Sequence, residues 1–195
     1  MGRKGVAPPK KRAAQLGALI LFIDETGLRL IPFIAKTWAP RGRDNTPIIR
    51  HCGHWTKVSM ISAVSQRGKL YFQTQLTDFD GPSCVHFLRH LLRATRRRLI
   101  VIWDNAKIHK NRAVKKFLGE NATRIEAHYL PPYAFELMPV EGFNGYIKTH
   151  ELKNVVAKDT PELHANVRRK ARKIQRNRAL VRSFWGQTPL LKPTR

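Results

Sequence analysis

The sequence predicts an α/β protein with one mixed, five-stranded sheet and helices on its faces. The chain has 195 residues, which is enough for one well-packed domain. Hairpin-joined strands come first, and helices then alternate with strands, an order typical of a mixed sheet. Two of the strands are continuous apolar runs, the pattern of strands that are buried on both faces.

The pattern of apolar residues defines each element in turn. Residues 19–23 form the first apolar run, and residues 58–64 alternate in polarity as a strand does. A hairpin turn over 66–69 leads into a third strand over 70–76. The later predicted elements are a helix over 80–97 capped by Asp80, an apolar strand over 99–103, a helix over 111–119, a strand over 125–130, a helix over 140–150 and one long helix from 160 to about 185.

The charge of the chain indicates a polyanionic partner. Lys and Arg number 37 against 13 Asp and Glu, for a formal charge of +24, while 42% of the residues are hydrophobic. That apolar content argues against intrinsic disorder. A charge of one sign and this size favours DNA or RNA as the partner. A ribosome-like scaffold and an anionic membrane surface are the alternatives.

The sequence predicts a soluble, unsecreted protein of a reducing cytoplasm. Cys52 and Cys84 are too few for a disulfide framework. The apolar run over 16–23 ends directly in Asp24 and Glu25 without a small-residue cleavage site, unlike a signal peptide. It is also far shorter than the roughly 20 residues that a membrane-spanning helix needs.

Three acidic residues occupy positions that favour metal-dependent chemistry. Asp24 and Asp104 each end an apolar strand, and Glu141 begins a helix after a Pro-bounded loop. Carboxylates that converge at strand ends suit Mg²⁺ or Mn²⁺, and two such ions can promote cleavage of a phosphodiester. The alternative is that the two aspartates are only polar strand ends or turn formers. Glu136 is the nearest competitor of Glu141 for the third position.

Several segments together resemble one family. They are residues 22–27 (FIDETG), 38–42 (WAPRG), 103–105 (WDN) with His109, 130–133 (LPPY) and 136–141 (ELMPVE). In this order they are similar to the catalytic domain of bacterial insertion-sequence transposases of the mariner superfamily, over residues 18–190. The resemblance implies an RNase H-like fold, a DDE triad, DNA cleavage at element ends and transfer of those ends to target DNA.

The resemblance also implies roles for individual residues. Asp24, Asp104 and Glu141 would be the catalytic triad and would bind two Mg²⁺ or Mn²⁺ ions. Glu25, Asn105 and His109 would be accessory residues, and for His109 a DNA contact and a purely structural role are alternatives. The chain departs from the family's usual Pro-Glu-Leu-Asn-Pro loop at Phe135 and Met138. Asn144 and Lys148 resemble a bacterial subgroup, whereas many members of the superfamily have Trp at the position of Asn144.

A basic C-terminal helix is predicted to contact the DNA backbone without sequence preference. We expect a flexible basic arm over 1–15, the catalytic domain over 16–158, and a C-terminal helix and tail over 159–195 packed on that domain. The predicted DNA-binding residues are Arg168, Arg169, Lys170, Arg172, Lys173 and Arg176.

The expected partners are double-stranded DNA, as element ends and as target, and a second copy of the chain in a homodimer. No membrane partner is expected. There is no room for a helix-turn-helix domain before residue 16, so we expect a DNA-reading portion that is separate or joined by frameshifting. The protein is expected in the bacterial cytoplasm, associated with the nucleoid. A catalytically inactive DNA-binding remnant and an RNase H-like nuclease without strand transfer are the alternative functions.

Overall fold

Five strands form one mixed sheet. The computed structural model describes residues 9–41, 48, 50, 55–131 and 138–186. The strands are β1 (Leu19–Arg29), β2 (Lys57–Ser65), β3 (Leu70–Gln75), β4 (Leu99–Trp103) and β5 (Ile125–Tyr129), in the spatial order β3-β2-β1-β4-β5. Strands β1, β2 and β3 are joined antiparallel, whereas β4 pairs in parallel with both β1 and β5. The predicted fold class is therefore confirmed.

Helices cover both faces of this sheet. They are α1 (Pro9–Leu16), α2 (Gly81–Thr95), α3 (Arg112–Glu120), α4 (Pro139–Tyr146), α5 (Thr160–Arg176) and α6 (Arg178–Gly186). A 3₁₀ turn, Lys107–Lys110, follows β4, and a π-helical turn, Ile147–Glu151, continues α4. One apolar core lies under α2 and α3, and the other lies under α4, α5 and α6. Among the residues that the structure describes, no helix is long and apolar enough to cross a membrane.

The two cores divide the side chains of β1 by parity. Ile20 and Phe22 belong to the core under α4–α6, whereas Leu21 and Ile23 belong to the core under α2 and α3. Phe22 packs edge-on against Trp185 of α6, with 5.3 Å between ring centroids. Because successive side chains of a strand point to opposite faces, Asp24 and Glu25, which come next in β1, point to opposite sides of the sheet.

Strands β1 and β2 differ from their predicted forms in length and in burial, because both lie inside the sheet with a strand on each side. Strand β1 continues beyond the apolar run to Arg29, since it pairs with β2 along its whole length. In β2 every residue from Val58 to Ser65 is buried, so its polar members do not face solvent as strict alternation would suggest. Helix layers cover both faces of β2, which explains the difference.

The chain also forms helices differently from the sequence prediction at both ends. The predicted helix from 160 to about 185 is two helices, because Asn177 has a non-helical backbone and its side chain accepts a hydrogen bond from Leu180 N, which caps α6. Helix α1 overlaps the segment 1–15 that we expected to be a flexible arm, and its Ala13 is buried. Residues 1–8 and 187–195 lie outside the described residues, and the division into domains stays a prediction.

Close packing joins the start of α2 to the start of α3. Gly81, the first residue of α2, lies so close to Asn111 that an added Cβ would come within 2.4 Å of Asn111 Cγ. The Asn111 side chain is held in place because it accepts a hydrogen bond from Ala113 N at the start of α3. The contact fixes the chain that follows the 3₁₀ turn after β4.

Gly81→Ala is therefore expected to destabilise the protein by about 1–3 kcal/mol, although Ala favours helix more than Gly does. The matched control is Gly119→Ala in α3, where an added Cβ meets nothing within 4 Å. The control is expected to stabilise the protein by up to about 1 kcal/mol. Urea denaturation followed by circular dichroism measures both changes, and effects of the same sign would contradict the packing argument.

Candidate active site

Asp24 and Asp104 lie side by side at the junction of two parallel strands. Strand β1 pairs with β4 in the register Leu19↔Leu99 to Phe22↔Ile102, and the same offset brings Asp24 opposite Asp104, which follows the last residue of β4. Phe22 and Ile102 both belong to the core under α4–α6. The two aspartates share that parity and are directed to the same side of the sheet.

Helix α4 joins this pair through Asn144. The buried Asn144 side chain donates a hydrogen bond from Nδ2 to Asp24 Oδ2 at 2.8 Å and accepts one from Ser62 Oγ at 3.4 Å. Ser62 is the residue of β2 that pairs with Asp24. Glu141 lies one helical turn before Asn144, on the same side of α4, because residues three apart in a helix are neighbours. The structure thus brings together the three acidic residues that the sequence singled out.

The electrostatics of Asp24 reflect this convergence. Burial raises the pKa of Asp24 most strongly, and the nearby charges of Glu141, Glu25 and Asp104 raise it further, so that the pKa goes from 3.8 to about 7 despite a backbone hydrogen bond from Glu25. A divalent cation would stabilise such a cluster, because its carboxylates repel one another in a partly buried site.

Asp104 is affected in the opposite direction. Contact with His109 lowers the pKa of Asp104, and the hydrogen bond that its Oδ1 accepts from Ala106 N at 2.9 Å lowers it further against the effect of burial. Asp104 thus stays ionised at a pH where Asp24 is partly protonated. Among the residues that the structure describes, a cationic side chain acts on the pKa of Asp104 and none acts on that of Asp24, so the two aspartates are inequivalent.

His109, the side chain that contacts Asp104, is almost completely buried. Its Nε2 lies 3.1 Å from Asp104 Oδ1 and 3.3 Å from Glu25 Oε2, and both contacts are ion pairs without hydrogen-bond geometry. The ring stacks on Trp103 with 4.3 Å between centroids. A side chain that is 1% exposed is not available to DNA, so burial favours a positioning role for His109 over the DNA contact.

Cys84 completes a cluster beneath the aspartates. A ligand atom from each of Glu25, Cys84 and His109 lies within 4.8 Å of the other two, a donor set that would suit a thiophilic cation. Burial alone lowers the pKa of His109, but contacts with Asp104, Cys84 and Glu25 outweigh it and raise that pKa from 6.5 to about 11. A protonated imidazole has no lone pair for a metal, so we describe the cluster as a buried ion-pair network. A lone cysteine carries no spacing signal, which is why the sequence did not reveal it.

The third accessory residue, Asn105, has a backbone role. Its Nδ2 donates a hydrogen bond to the carbonyl oxygen of Leu130, directly after β5. This bond ties the end of β4 to the start of the connection that leads to α4 and Glu141. Asn105 therefore helps to position both Asp104, which precedes it, and the connection that leads to Glu141.

The loop before α4 is described only in part. Phe135 and Glu136 lie outside the described residues, so the competition between Glu136 and Glu141 stays a matter of prediction. Met138 immediately precedes α4 at its N-cap position, where it is buried and makes no side-chain capping hydrogen bond. Apolar packing at this position takes the place of the cap that an Asn would provide.

Three other acidic residues have structural partners away from the proposed triad. Asp78 lies 2.6 Å from Lys57 Nζ, and Asp80 forms a capping box with Ser83 at the start of α2. Glu126 pairs with Arg12 of α1 and with His128. These contacts give each of the three carboxylates a structural role.

A cavity of about 530 Å³ begins at Gly27, three residues beyond Asp24 on β1, and no acidic residue is among its described lining residues. Its lining includes Arg29 and Lys148, together with the exposed rings of Phe33 and Trp55. Arg29 lies over the Trp55 ring at 5.6 Å from its centroid. Lys148 lies one helical turn beyond Asn144, so the cavity and the acids share one side of the α4 segment. No sequence pattern pointed to Arg29 or Trp55, because Arg29 ends β1 whereas Trp55 lies in the segment before β2, 26 residues further along the chain.

The six predicted DNA-binding residues of α5 fall into two groups. Lys170 and Lys173 lie 3.2 and 2.8 Å from the carboxylate of Glu151, which is only 7% exposed, and so bind α5 to the π-helical turn. The other group is exposed and consists of Arg168, Arg169, Arg172 and Arg176. Lys173 is exposed as well, with 69% of its side chain accessible, but its ammonium group, like that of Lys170, is paired with Glu151.

Comparison with known proteins agrees with this architecture. Residues 19–164 match the family described as DDE superfamily endonuclease. The chain belongs to this family. Among curated proteins, none is similar enough in sequence to match the chain.

Solved structures of Mos1 mariner transposase are similar to this DDE endonuclease in fold. The Mos1 paired-end complex with Mn has a TM-score of 0.62 at 17% identity, over 90% of this chain and 56% of that one. A pre-cleavage Mos1 transpososome has a TM-score of 0.60 at 16% identity, over 96% and 64%. The isolated Mos1 catalytic domain has a TM-score of 0.53 at 14% identity, over 90% and 84%. The RNase H-like fold is thereby shown, and the chain spans little more than half of the chain in the Mos1 paired-end complex.

Asp24→Asn is expected to stabilise the metal-free protein at pH values above 7. Because the pKa of Asp24 is raised on folding, its carboxyl group favours the folded state below its ordinary pKa of 3.8, and this contribution is lost as the pH rises through about 7. The uncharged amide avoids that loss and still accepts the hydrogen bond from Asn144. Urea denaturation in the presence of a chelator, below and above pH 7, measures the difference.

Asp104→Asn is the matched control with the opposite sign. The pKa of Asp104 is lowered on folding, so its stabilising contribution is present at neutral pH and is lost as the pH falls through the folded-state pKa. The Asp104 variant should be less stable than the parent protein at neutral pH. Two variants that respond alike to pH would show that the aspartates are equivalent and would contradict the assignment.

Proposed function

We propose that this chain is the catalytic part of a DDE transposase of the mariner superfamily, from a bacterial insertion sequence. It would cleave DNA at the ends of the element and join those ends to target DNA. The observation that carries the proposal is the convergence of Asp24, Asp104 and Glu141 from two parallel strands and one helix. Family membership supports an endonuclease activity, and the Mos1 structures support the fold in which it would occur.

The carboxylates fit the divalent cations that this activity requires. Asp24, Asp104 and Glu141 supply only hard oxygen donors. Burial and, after it, repulsion from neighbouring carboxylates raise the pKa of Asp24, and bound cations would relieve that repulsion. We propose two Mg²⁺ or Mn²⁺ ions at these residues, as in other two-metal phosphodiester sites. Such ions would stabilise charge on the scissile phosphate and lower the pKa of the attacking water or hydroxyl group.

The reaction would proceed in two displacements at phosphorus. In the first, a water oxygen bonds to phosphorus, the bond to the 3′ oxygen breaks, and the strand leaves with a protonated 3′-hydroxyl. In the second, that 3′-hydroxyl loses its proton and attacks a phosphate of the target, which releases a new 3′-hydroxyl. Asn144 would orient Asp24, and the Glu25–His109 pair would hold Asp104 ionised and in place.

Charge near the site supports double-stranded DNA as the substrate. Arg29 and Lys148 line the cavity that begins three residues beyond Asp24 and would bind phosphates, and the rings of Phe33 and Trp55 would stack on bases where the duplex is opened. The exposed arginines of α5 would bind phosphates further along the duplex. We further propose that the chain works as a homodimer with a helix-turn-helix portion, separate or joined by frameshifting, at the nucleoid of a bacterial cytoplasm.

An inactive DNA-binding remnant is a second candidate, favoured by Met138. This residue leaves α4 without a side-chain cap at the N-cap position, three residues before Glu141. Calorimetric titration with Mn²⁺ separates the candidates, because an intact triad binds the ion and a remnant does not. A nuclease that cuts without joining would bind Mn²⁺ but would fail to transfer a pre-cut element end to a plasmid.

Asp104→Asn is expected to abolish Mn²⁺-dependent nicking of supercoiled plasmid DNA. Loss of one metal ligand removes several kcal/mol of transition-state stabilisation, which corresponds to at least about a thousandfold in rate. Filter binding of DNA should be unchanged, since Asp104 contacts no phosphate in the proposed complex. The matched control is Asp78→Asn, an exposed carboxylate paired with Lys57, which should nick normally. Undiminished nicking by the Asp104 variant would overturn the assignment.

The two groups of α5 cations should differ in their effects. Arg168→Gln combined with Arg172→Gln should reduce the slope of log affinity against log salt by about 2, since each phosphate contact contributes about 0.9. Lys170→Gln combined with Lys173→Gln should change this slope less and lower the melting temperature more, because Glu151 loses its partners. Fluorescence anisotropy over a salt series and thermal denaturation measure the two effects. Equal slopes for the two double variants would contradict the division.

A further inference from the structure

A second cationic surface lies on the opposite side of the sheet from α5. Residues 81–124, which include α2 and α3, contain eleven Lys and Arg and only two acidic residues. Both helices pack on the core that faces away from α4, α5 and α6. The excess positive charge of the chain is therefore not confined to the side of the sheet that carries the proposed active site.

The centre of this surface is a crevice between the two helices. We call it the α2–α3 crevice and define it by Arg89, Arg93, Lys116 and Arg124, with Phe117 at its base. It comprises two adjoining cavities of about 270 and 320 Å³, both of which are lined by Arg89, Phe117 and Glu120. Glu120 is the one acidic residue that lines either cavity, among the residues that the structure describes. Four cations against one acid make the crevice a site for anions.

Two of the guanidinium groups are already held in position. Arg89 lies over the ring of Phe117, 5.5 Å from its centroid. Arg124 donates a hydrogen bond from Nη2 to the carbonyl oxygen of Leu92 at 3.4 Å. Groups that are ordered before binding lose less conformational entropy when they bind, which favours phosphate over bulk counterions at these positions. Arginine also binds phosphate through paired N–H donors.

A duplex bound to α5 cannot also reach the α2–α3 crevice. Two helix layers, each about 10 Å thick, and the sheet between them separate the outer surfaces by roughly 25 Å or more. DNA is stiff over about 150 base pairs, so a short duplex does not bend around the domain. Asp24 and Asn144 lie on the α4–α6 side, and a strand bound in the crevice would be directed away from them.

We propose that the α2–α3 crevice binds the backbone of a second DNA duplex, which the carboxylates of the same chain do not cut. The proposal rests on the proposed function in one respect, that the ligand of this protein is double-stranded DNA. One chain would then hold two duplexes on opposite sides of its sheet. That is an arrangement a strand-transfer enzyme can use to hold target or flanking DNA.

The test is a bridging experiment in a chelating buffer, where no cleavage occurs. Short duplexes labelled with either a donor or an acceptor dye are mixed with limiting protein, and energy transfer reports two duplexes on one particle. The parent protein should bridge them and bind two duplexes per chain. The variant Arg89→Gln, Arg93→Gln and Arg124→Gln should bind one duplex per chain and lose bridging, with the salt slope of the second binding step reduced by about 3.

Matched variants identify the cause of that loss. The corresponding Arg→Lys triple variant keeps the charges and should keep most of the bridging, which excludes misfolding as the reason. If a dimer bridged the DNA through two copies of α5, the crevice variant would bridge normally, and the proposal would be wrong. Plasmid nicking by the crevice variant should equal that of the parent protein, and a loss of nicking would place the crevice on the path of the cut strand and overturn the proposal.

The remaining outcomes concern the identity of the ligand. If the crevice variant keeps DNA bridging but no longer binds vesicles of phosphatidylglycerol, the surface serves a membrane and the proposal fails. Failure of the parent protein to nick plasmid DNA would contradict the proposed enzymatic function while leaving the bridging result intact. The proposed second DNA site and the proposed cleavage activity can therefore fail separately.

Discussion

The parallel pairing of β1 with β4 is the interaction on which the candidate site depends. Its register aligns Phe22 with Ile102 and thereby brings Asp24 and Asp104 to the same side of the sheet. A slip of one residue would turn one aspartate to the opposite face, where α2 and α3 lie. The apolar side chains that precede both acids are divided between the two cores. Such a slip would therefore also move apolar side chains of one strand from the core in which they pack to the opposite core. The packing of the sheet thus fixes the site.

The convergence of these carboxylates is most unfavourable for the ionised form of Asp24. It is buried near three other carboxylates, and its raised pKa shows that the fold disfavours its ionised form. The ladder with β2 and the hydrogen bond from Asn144 hold it in place despite that repulsion. A protein with 37 basic and 13 acidic residues nevertheless gathers four of its acids here. This concentration is hard to explain by stability and is readily explained by cation binding.

The two helix layers contribute to the site in different ways. The α4–α6 layer supplies Glu141 and the Asn144 amide that contacts Asp24. The α2–α3 layer supports Asp104 from the other side of the sheet, because Cys84 of α2 lies against the buried His109, which pairs with Glu25 and Asp104. Glu25 and Asp24 are adjacent in sequence yet serve opposite layers, as the alternation of strand side chains requires. Their different surroundings follow from that geometry alone.

The sequence by itself determined the class of the fold and the succession of the five strands along the chain, because apolar periodicity is a local signal. Position along the chain and the family resemblance led to the three acids proposed for the triad. The sequence could not show that β1 extends to Arg29, that Asn177 separates α5 from α6, or that α1 packs at the N-terminus. Only the tertiary structure decided that His109 is buried between two carboxylates and that Lys170 and Lys173 are paired with Glu151. These features depend on contacts between residues far apart in the chain, whose distances and burial are set when the helices pack on the sheet.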